Sequence, residues 1–119
     1  RYGLRAARRS YRISAPPLSA VSFLLPERLA NAWQPVLAFC SGDLFFYARR
    51  QDWGPVDRVF LSREYAFALR LLTPGSSPTL IDLGANIGTF ALSALQAYPL
   101  ARVLSVEPSA ANFSLLDRN

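Results

Sequence analysis

A chain of 119 residues, 51% of them apolar, is long enough for one domain or part of one, and too apolar for disorder through its bulk. All 13 basic residues are arginine and no Lys, His or Met occurs, so the single cysteine, Cys40, has no histidine to partner it; this argues against a disulfide framework, zinc ligation and a Cys–His nucleophile. The net charge of +5 sits in Arg1, Arg5, Arg8, Arg9 and Arg12, because the other eight arginines balance the eight acids, so no nucleic-acid-binding surface is expected on the body of the chain.

The chain divides into three stretches. Residues 1–30 read as a basic lead-in cut by Pro16-Pro17 and Pro26, a solvated arm or amphipathic helix, with a transit peptide or an arm on acidic lipid or nucleic acid as the other readings. Absence of Met leads us to expect that Arg1 is not the native start. Ile13 to Leu25 is a poor secretion signal, since Pro16-Pro17 interrupts it and Glu27-Arg28 crowds the site after it. Residues 31–58 read as an accessory hairpin region: Val36 to Cys40 and Leu44 to Ala48 flank Ser41-Gly42-Asp43, where the glycine supplies positive φ. Trp33, Phe39, Phe45, Phe46 and Tyr47 are expected to fasten this hairpin to the domain rather than to stack on a ligand, and Cys40 to be a buried thiol.

From residue 59 onward the pattern is α/β. Arg63 to Leu72 predicts a largely buried helix ended by Thr73-Pro74-Gly75, and Thr79 to Leu83 a strand buried on both faces. Thr89 to Tyr98 predicts a helix stopped at Pro99, with Phe90, Ala91, Ala94, Leu95 and Tyr98 toward the sheet, and Arg102 to Val106 a second, parallel strand. Ser109 is the expected N-cap of a further helix carrying Phe113 and Leu116 as an apolar i,i+3 pair. The uncharged span from Leu83 to Ala101 holds Gly84, Asn86, Gly88, Gln96 and Pro99, so no stable membrane insertion is expected.

Chemistry concentrates where the first of these strands turns into its helix. Gly84 and Gly88 remove side chains that would keep backbone N–H groups away from a ligand. A dinucleotide-binding turn wants G-x-G-x-x-G, but its second and third glycine positions are Asn86 and Thr89; Asn86 would crowd a pyrophosphate yet can donate to a smaller carboxylate. Asp82 can accept from the turn's amides or a ligand ammonium, and Glu107, ending the second strand, from both hydroxyls of a ribose. Singly, each has a structural explanation: ordinary turn glycines and a helix-capping acid. In this order they point to S-adenosylmethionine, with a nicotinamide cofactor as the alternative.

The run Ile81-Asp82-Leu83-Gly84-Ala85-Asn86-Ile87-Gly88-Thr89-Phe90, then Val106-Glu107-Pro108 followed by Asn112-Phe113, Leu116 and Asn119, resembles the class I S-adenosylmethionine-dependent methyltransferases, and more narrowly the FkbM-type family. Glu64-Tyr65 looks like the acid or aromatic element this family places before its glycine motif. The resemblance covers roughly the second half of the chain. It implies a Rossmann-like fold of which only the first βαβα portion is present. It also implies O-methyl transfer to a sugar or secondary-metabolite hydroxyl, with the cofactor held by Asp82, Gly84, Ala85, Asn86, Gly88, Glu107 and Pro108. No catalytic base and no metal ligands are identified. The later strands of such a domain are missing, so a fragment inactive alone is expected; alternatives are a truncated relative acting as a binding or interaction module and a fragment of an NAD-dependent oxidoreductase. The expected partners are a small-molecule acceptor and, through an exposed strand edge, a second copy; the expected location is cytoplasmic.

Overall fold

The computed structural model describes residues 13–14, 25–33 and 36–119, so the arginine-rich start and most of the stretch tested for a secretion signal lie outside the described residues. Among those described, two small sheets and a set of short helices make an α/β fold, compatible with part of a Rossmann-like one.

The first sheet is antiparallel. Strands β2 (Leu37–Ser41) and β3 (Leu44–Ala48) pair from Leu37 with Ala48 down to Ser41 with Leu44, leaving Gly42 and Asp43 as a two-residue turn with Gly42 at φ +61°. A short strand β1 (Ile13–Ser14) adds to the β2 edge, within the stretch read from sequence as a lead-in. Trp33 does not belong to the hairpin: it ends helix α1 (Glu27–Trp33) and is about half exposed. Cys40 is half-buried rather than buried.

Alternation along the two strands sends Leu37, Phe39, Phe46 and Ala48 inward, where they share one core with Val56, Val59, Phe60, Ile87, Leu92 and Leu115. Phe46 stacks on both Phe39 and Phe60, with ring centroids 5.6 and 5.1 Å apart. The hairpin is therefore part of the core that carries the glycine turn. The side-chain amide of Gln96 strengthens the join by donating to the Ser41 carbonyl at 2.7 Å.

After β3 the chain coils through a 3₁₀ turn (Arg50–Asp52), helix α2 (Trp53–Val56) and a π-helical turn (Asp57–Leu61). The helix predicted over 63–72 shrinks to α3 (Ala66–Arg70), and its apolar residues are not buried: Phe67 and Leu71 are 75% and 72% exposed, and only Leu69 is covered. Arg63 is the cause at the front, because its φ of +54° cannot continue a helix.

The second sheet pairs β4 (Thr79–Leu83) with β5 (Arg102–Val106) in parallel, Thr79 opposite Arg102 and Leu83 opposite Val106, with helix α4 (Thr89–Ala97) as the crossover. Ala91, Leu92 and Ala94 are the buried positions of α4, whereas Leu95 is partly exposed. The expectation of a strand covered on both faces is overturned: Ile81, Leu83, Leu104 and Val106 are 65%, 77%, 60% and 47% exposed. Among the described residues their face of the sheet carries no helix, while Leu80, Asp82, Val103 and Ser105 on the opposite face are half-buried.

Helix α5 (Ala110–Arg118) starts as predicted at Ser109, whose Oγ accepts from the Asn112 N–H. Its buried residue is Leu115, not the pair Phe113 and Leu116 read from spacing, and Phe113 is half exposed.

Candidate functional site

The carboxyl ends of β4 and β5 meet at residues 82–89 and 106–109. The ladder does not stop with the strands, because the Val106 carbonyl accepts from the N–H groups of both Gly84 (2.9 Å) and Ala85 (3.0 Å). The turn then passes through three left-handed residues, Gly84 (φ +77°), Asn86 (φ +53°) and Gly88 (φ +85°), before α4 begins. Asparagine is among the non-glycine residues that best tolerate this region.

Those conformations give the two glycines different functions. A Cβ on Gly84 would meet nothing within 4 Å, so its face of the turn is open to an approaching molecule. A Cβ on Gly88 would lie 2.7 Å from Leu116 Cδ1, so α5 packs closely on this position and the Leu116 side chain would have to shift to admit it. Ala85 is buried and Pro108 exposed, the latter between Glu107 and the α5 N-cap.

Glu107 is heavily used by the protein itself. Its Oε2 accepts from the Asn86 N–H at 2.7 Å, and its Oε1 from the Ser109 N–H at 2.9 Å and from Asn112 Nδ2 at 3.2 Å. These bonds favour the ionised form, the Ser109 N–H most, and hold the carboxyl below its ordinary range. Of about four lone-pair positions on a carboxylate, one on Oε2 stays open. The sequence reading of two ribose hydroxyls on this acid is thereby narrowed to one without displacement of a protein donor.

Asp82 is pushed the other way. Burial raises its carboxyl above the ordinary range, with the charge of Glu107 adding to the effect. Its Oδ2 is buried without a hydrogen-bond partner, and so is Oδ1 of Asn86. Asp82 therefore does not accept from the turn's amides through that oxygen, as sequence reasoning allowed. Both orphan atoms belong to residues lining one cavity of about 120 Å³, whose walls include Arg58, Glu64, Tyr65 and Phe90. Tyr65 meets Phe90 edge-on with centroids 5.0 Å apart, so the Glu64-Tyr65 pair singled out in the sequence does reach the glycine turn.

Two buried acceptors, on residues that line one small space, lack donors, a combination that costs free energy until a donor arrives. An ammonium group supplies three N–H bonds and a positive charge that would also ionise Asp82. The cavity has room for a few water volumes at about 30 Å³ each, which is the size of an amino-acid head. The residues present thus fit the amino-acid end of S-adenosylmethionine.

Sequence reading gave no role to Arg49, Asp52 or Asn119. Asn119 closes on the hairpin as a strand would: Oδ1 accepts from the Tyr47 N–H (2.7 Å), and Nδ2 donates to the Tyr47 carbonyl (3.0 Å) and the Ile87 carbonyl (2.8 Å). The Arg118 guanidinium lies 3.6 Å from the centre of the Tyr47 ring beside it. The i,i+3 spacing of Arg49 and Asp52 was a legible ion-pair signal, but nothing local tied it to a site 55 residues away.

Among the described residues no group of three His, Cys, Asp or Glu side chains comes together to hold a metal, and no helix is long and apolar enough to cross a membrane. No protein-family model and no solved structure matches the chain. Over 44 residues it is 43% identical to methyltransferase sdnD of Sordaria araneosa, a match that takes in 37% of this chain and 17% of that protein. Over that part, then, the chain is related to a methyltransferase, and it spans well under two thirds of that relative's length.

Proposed function

We propose that this chain carries the first half of the S-adenosylmethionine site of an FkbM-type methyltransferase, transferring a methyl group to a hydroxyl of a sugar or secondary metabolite. The observation that carries the reading is the pair of orphaned acceptors, Asp82 Oδ2 and Asn86 Oδ1, buried at a cavity of amino-acid size beside the open Gly84 turn. The partial identity with a methyltransferase supports it. When bound, the cofactor would supply an electrophilic methyl on a sulfonium.

The protein's part is binding and alignment. Asp82 Oδ2 and the side-chain Oδ1 of Asn86 hold the ammonium group, the bare Gly84 backbone ahead of Ala85 lets the chain of the ligand pass, and Glu107 Oε2 accepts from a ribose hydroxyl beside Pro108. Gly88 serves by letting α5 pack on the turn. Fixing one reactant in line accounts for most of the rate gain in such a transfer. The acceptor and its proton-accepting group would belong to residues outside this half-site, so the chain alone is expected to bind without turnover.

Calorimetric titration of S-adenosylhomocysteine into the chain tests this. Saturable binding that is lost in Glu107→Ala and Asp82→Asn, and absent for NADH, is expected. A folded chain that binds NADH more tightly than S-adenosylhomocysteine would replace the reading with the nicotinamide one.

A further inference from the structure

We infer that Arg49, at the foot of the β-hairpin, is a positioning residue for the Glu107 carboxylate and acts on it through the side-chain amide of Asn112. This rests on the reading of Glu107 as the acid that meets the ribose.

Four side chains form an unbroken line from the hairpin to that acid. Asp52 is buried, at 5% exposure, and grips the Arg49 guanidinium at two points, Nε to Oδ2 at 2.8 Å and Nη2 to Oδ1 at 2.9 Å, while Oδ2 also accepts the Arg49 N–H at 2.8 Å. The same Nη2 donates to Asn112 Oδ1, and Asn112 Nδ2 donates to Glu107 Oε1. A guanidinium can only donate and a carboxylate can only accept. Arg49 and Glu107 therefore hold the Asn112 amide from both ends: the oxygen turns to the arginine and the NH₂ to the acid, and Arg49 fixes the amide in that place.

The consequence is a choice between the two oxygens of Glu107. With Ser109 N–H and Asn112 Nδ2 both on Oε1, that oxygen is filled; Oε2, with Asn86 N–H alone, keeps one position. The line of donors directs a ligand hydroxyl to Oε2, next to the glycine turn. Without Arg49 the amide loses the second of its two tethers, and only its bond to Glu107 is left to hold the NH₂ on Oε1. Bidentate geometry is what lets one arginine serve Asp52 and Asn112 together, and a lysine ammonium lacks that fork.

Two measurements on the full chain decide the matter. The first follows the Glu107 carboxyl, one of three glutamates in the sequence, by carbon-detected NMR titration. Asn112→Ala removes a donor to the ionised acid and Arg49→Lys disorders that donor, so both should raise the pH at which Glu107 titrates. The second compares affinity for S-adenosylhomocysteine with that for its 2′-deoxy and 3′-deoxy analogues. The unaltered chain should prefer the ribose form over one of them by about tenfold or more, as for a hydrogen bond to a charged group, and both variants should shrink that ratio toward one. Alanine suits the first turn of a helix, and Arg49→Lys keeps the charge beside Asp52, so folding should survive in at least one variant. A merely structural role would lower affinity for all three ligands equally and leave the titration in place; that result overturns the inference. If Glu107 titration moves in both variants while no nucleoside binds the unaltered chain, the line of donors stands and the cofactor reading falls.

Discussion

Gly84 and Gly88 share a left-handed backbone but differ in surroundings, and this separates ligand-facing from packing glycines. Alanine in the left-handed region costs about 1–2 kcal/mol, and at Gly84 that strain is the whole effect, since nothing lies within 4 Å of the added carbon. At Gly88 the same strain is joined by a 2.7 Å collision with Leu116. Gly88→Ala should therefore lower stability more than Gly84→Ala in urea melts, and pairing it with Leu116→Ala should recover the difference between them. A recovery of nothing would mean that Leu116 is not what Gly88 accommodates.

The two carboxylates of the site also respond to pH with opposite signs. Glu107 titrates below its ordinary range, so its ionised form is held more tightly by the fold; that stability is complete above the ordinary carboxyl value and is lost as pH falls through the folded one. Asp82 titrates above its ordinary range, so the ligand-free fold loses stability as pH rises from the ordinary value through the raised one. Asp82→Asn is expected to raise the melting temperature of the ligand-free chain at neutral pH while weakening S-adenosylhomocysteine, whereas Glu107→Gln should lower the melting temperature there and flatten the acid limb of the profile. The identities of Asp82, Asn86 and Glu107 as candidates were legible from the order of strand, glycine turn, helix, strand and acid, although each residue alone has an ordinary structural use. Their protein partners were not legible, because Arg49 reaches Asn112 across 63 residues and no periodicity records such a pair.

Among elements, the hairpin and α5 share a core through Leu115, and three polar contacts join them: Arg118 over Tyr47, Arg49 on Asn112, and the amide of Asn119 at the end of α5. The Asn119 amide satisfies both backbone groups of Tyr47 and the Ile87 carbonyl of the glycine turn. Truncation leaves a strand N–H and two carbonyls without partners at a half-buried position, for which a cost of about 1–3 kcal/mol is typical. Asn119→Ala should lower stability by that amount and raise the exchange rate of the Tyr47 amide in particular. Unchanged exchange at Tyr47 would show that the Asn119 amide does not hold this strand edge. The hairpin and both parallel strands were legible because apolar runs bounded by glycine or proline have few alternatives. The helix over 63–72 was not, since its pattern of Tyr65, Phe67, Leu69, Leu71 and Leu72 signals burial, and the left-handed Arg63 that shortens it leaves no mark in composition.

On the scale of the whole molecule, burial is unevenly distributed. The core gathers under the hairpin and the glycine turn, with Phe39, Phe46, Phe60 and Ile87 at 2% exposure or less, while β4 and β5 are covered by α4 on one face and bare on the other. Parallel sheets are ordinarily covered on both faces, and this is why the apolar runs Leu80-Ile81 and Val103-Leu104 read from sequence as doubly buried. The two arrangements differ sharply in what a charge would do. In a doubly covered strand, lysine at Leu83 or Leu104 would bury an unpaired ammonium and abolish folding. On the face described here both positions are open, at 77% and 60% exposure, so Leu83→Lys and Leu104→Lys should each change stability by no more than about 0.5 kcal/mol. Ile87→Ala, at a fully buried position in the turn between β4 and α4, should cost about 2–5 kcal/mol. Urea melts of the three variants read this directly: two near-neutral results beside one large loss place the core at the glycine turn, and a collapse of either lysine variant would mean that this face of the sheet is covered in solution.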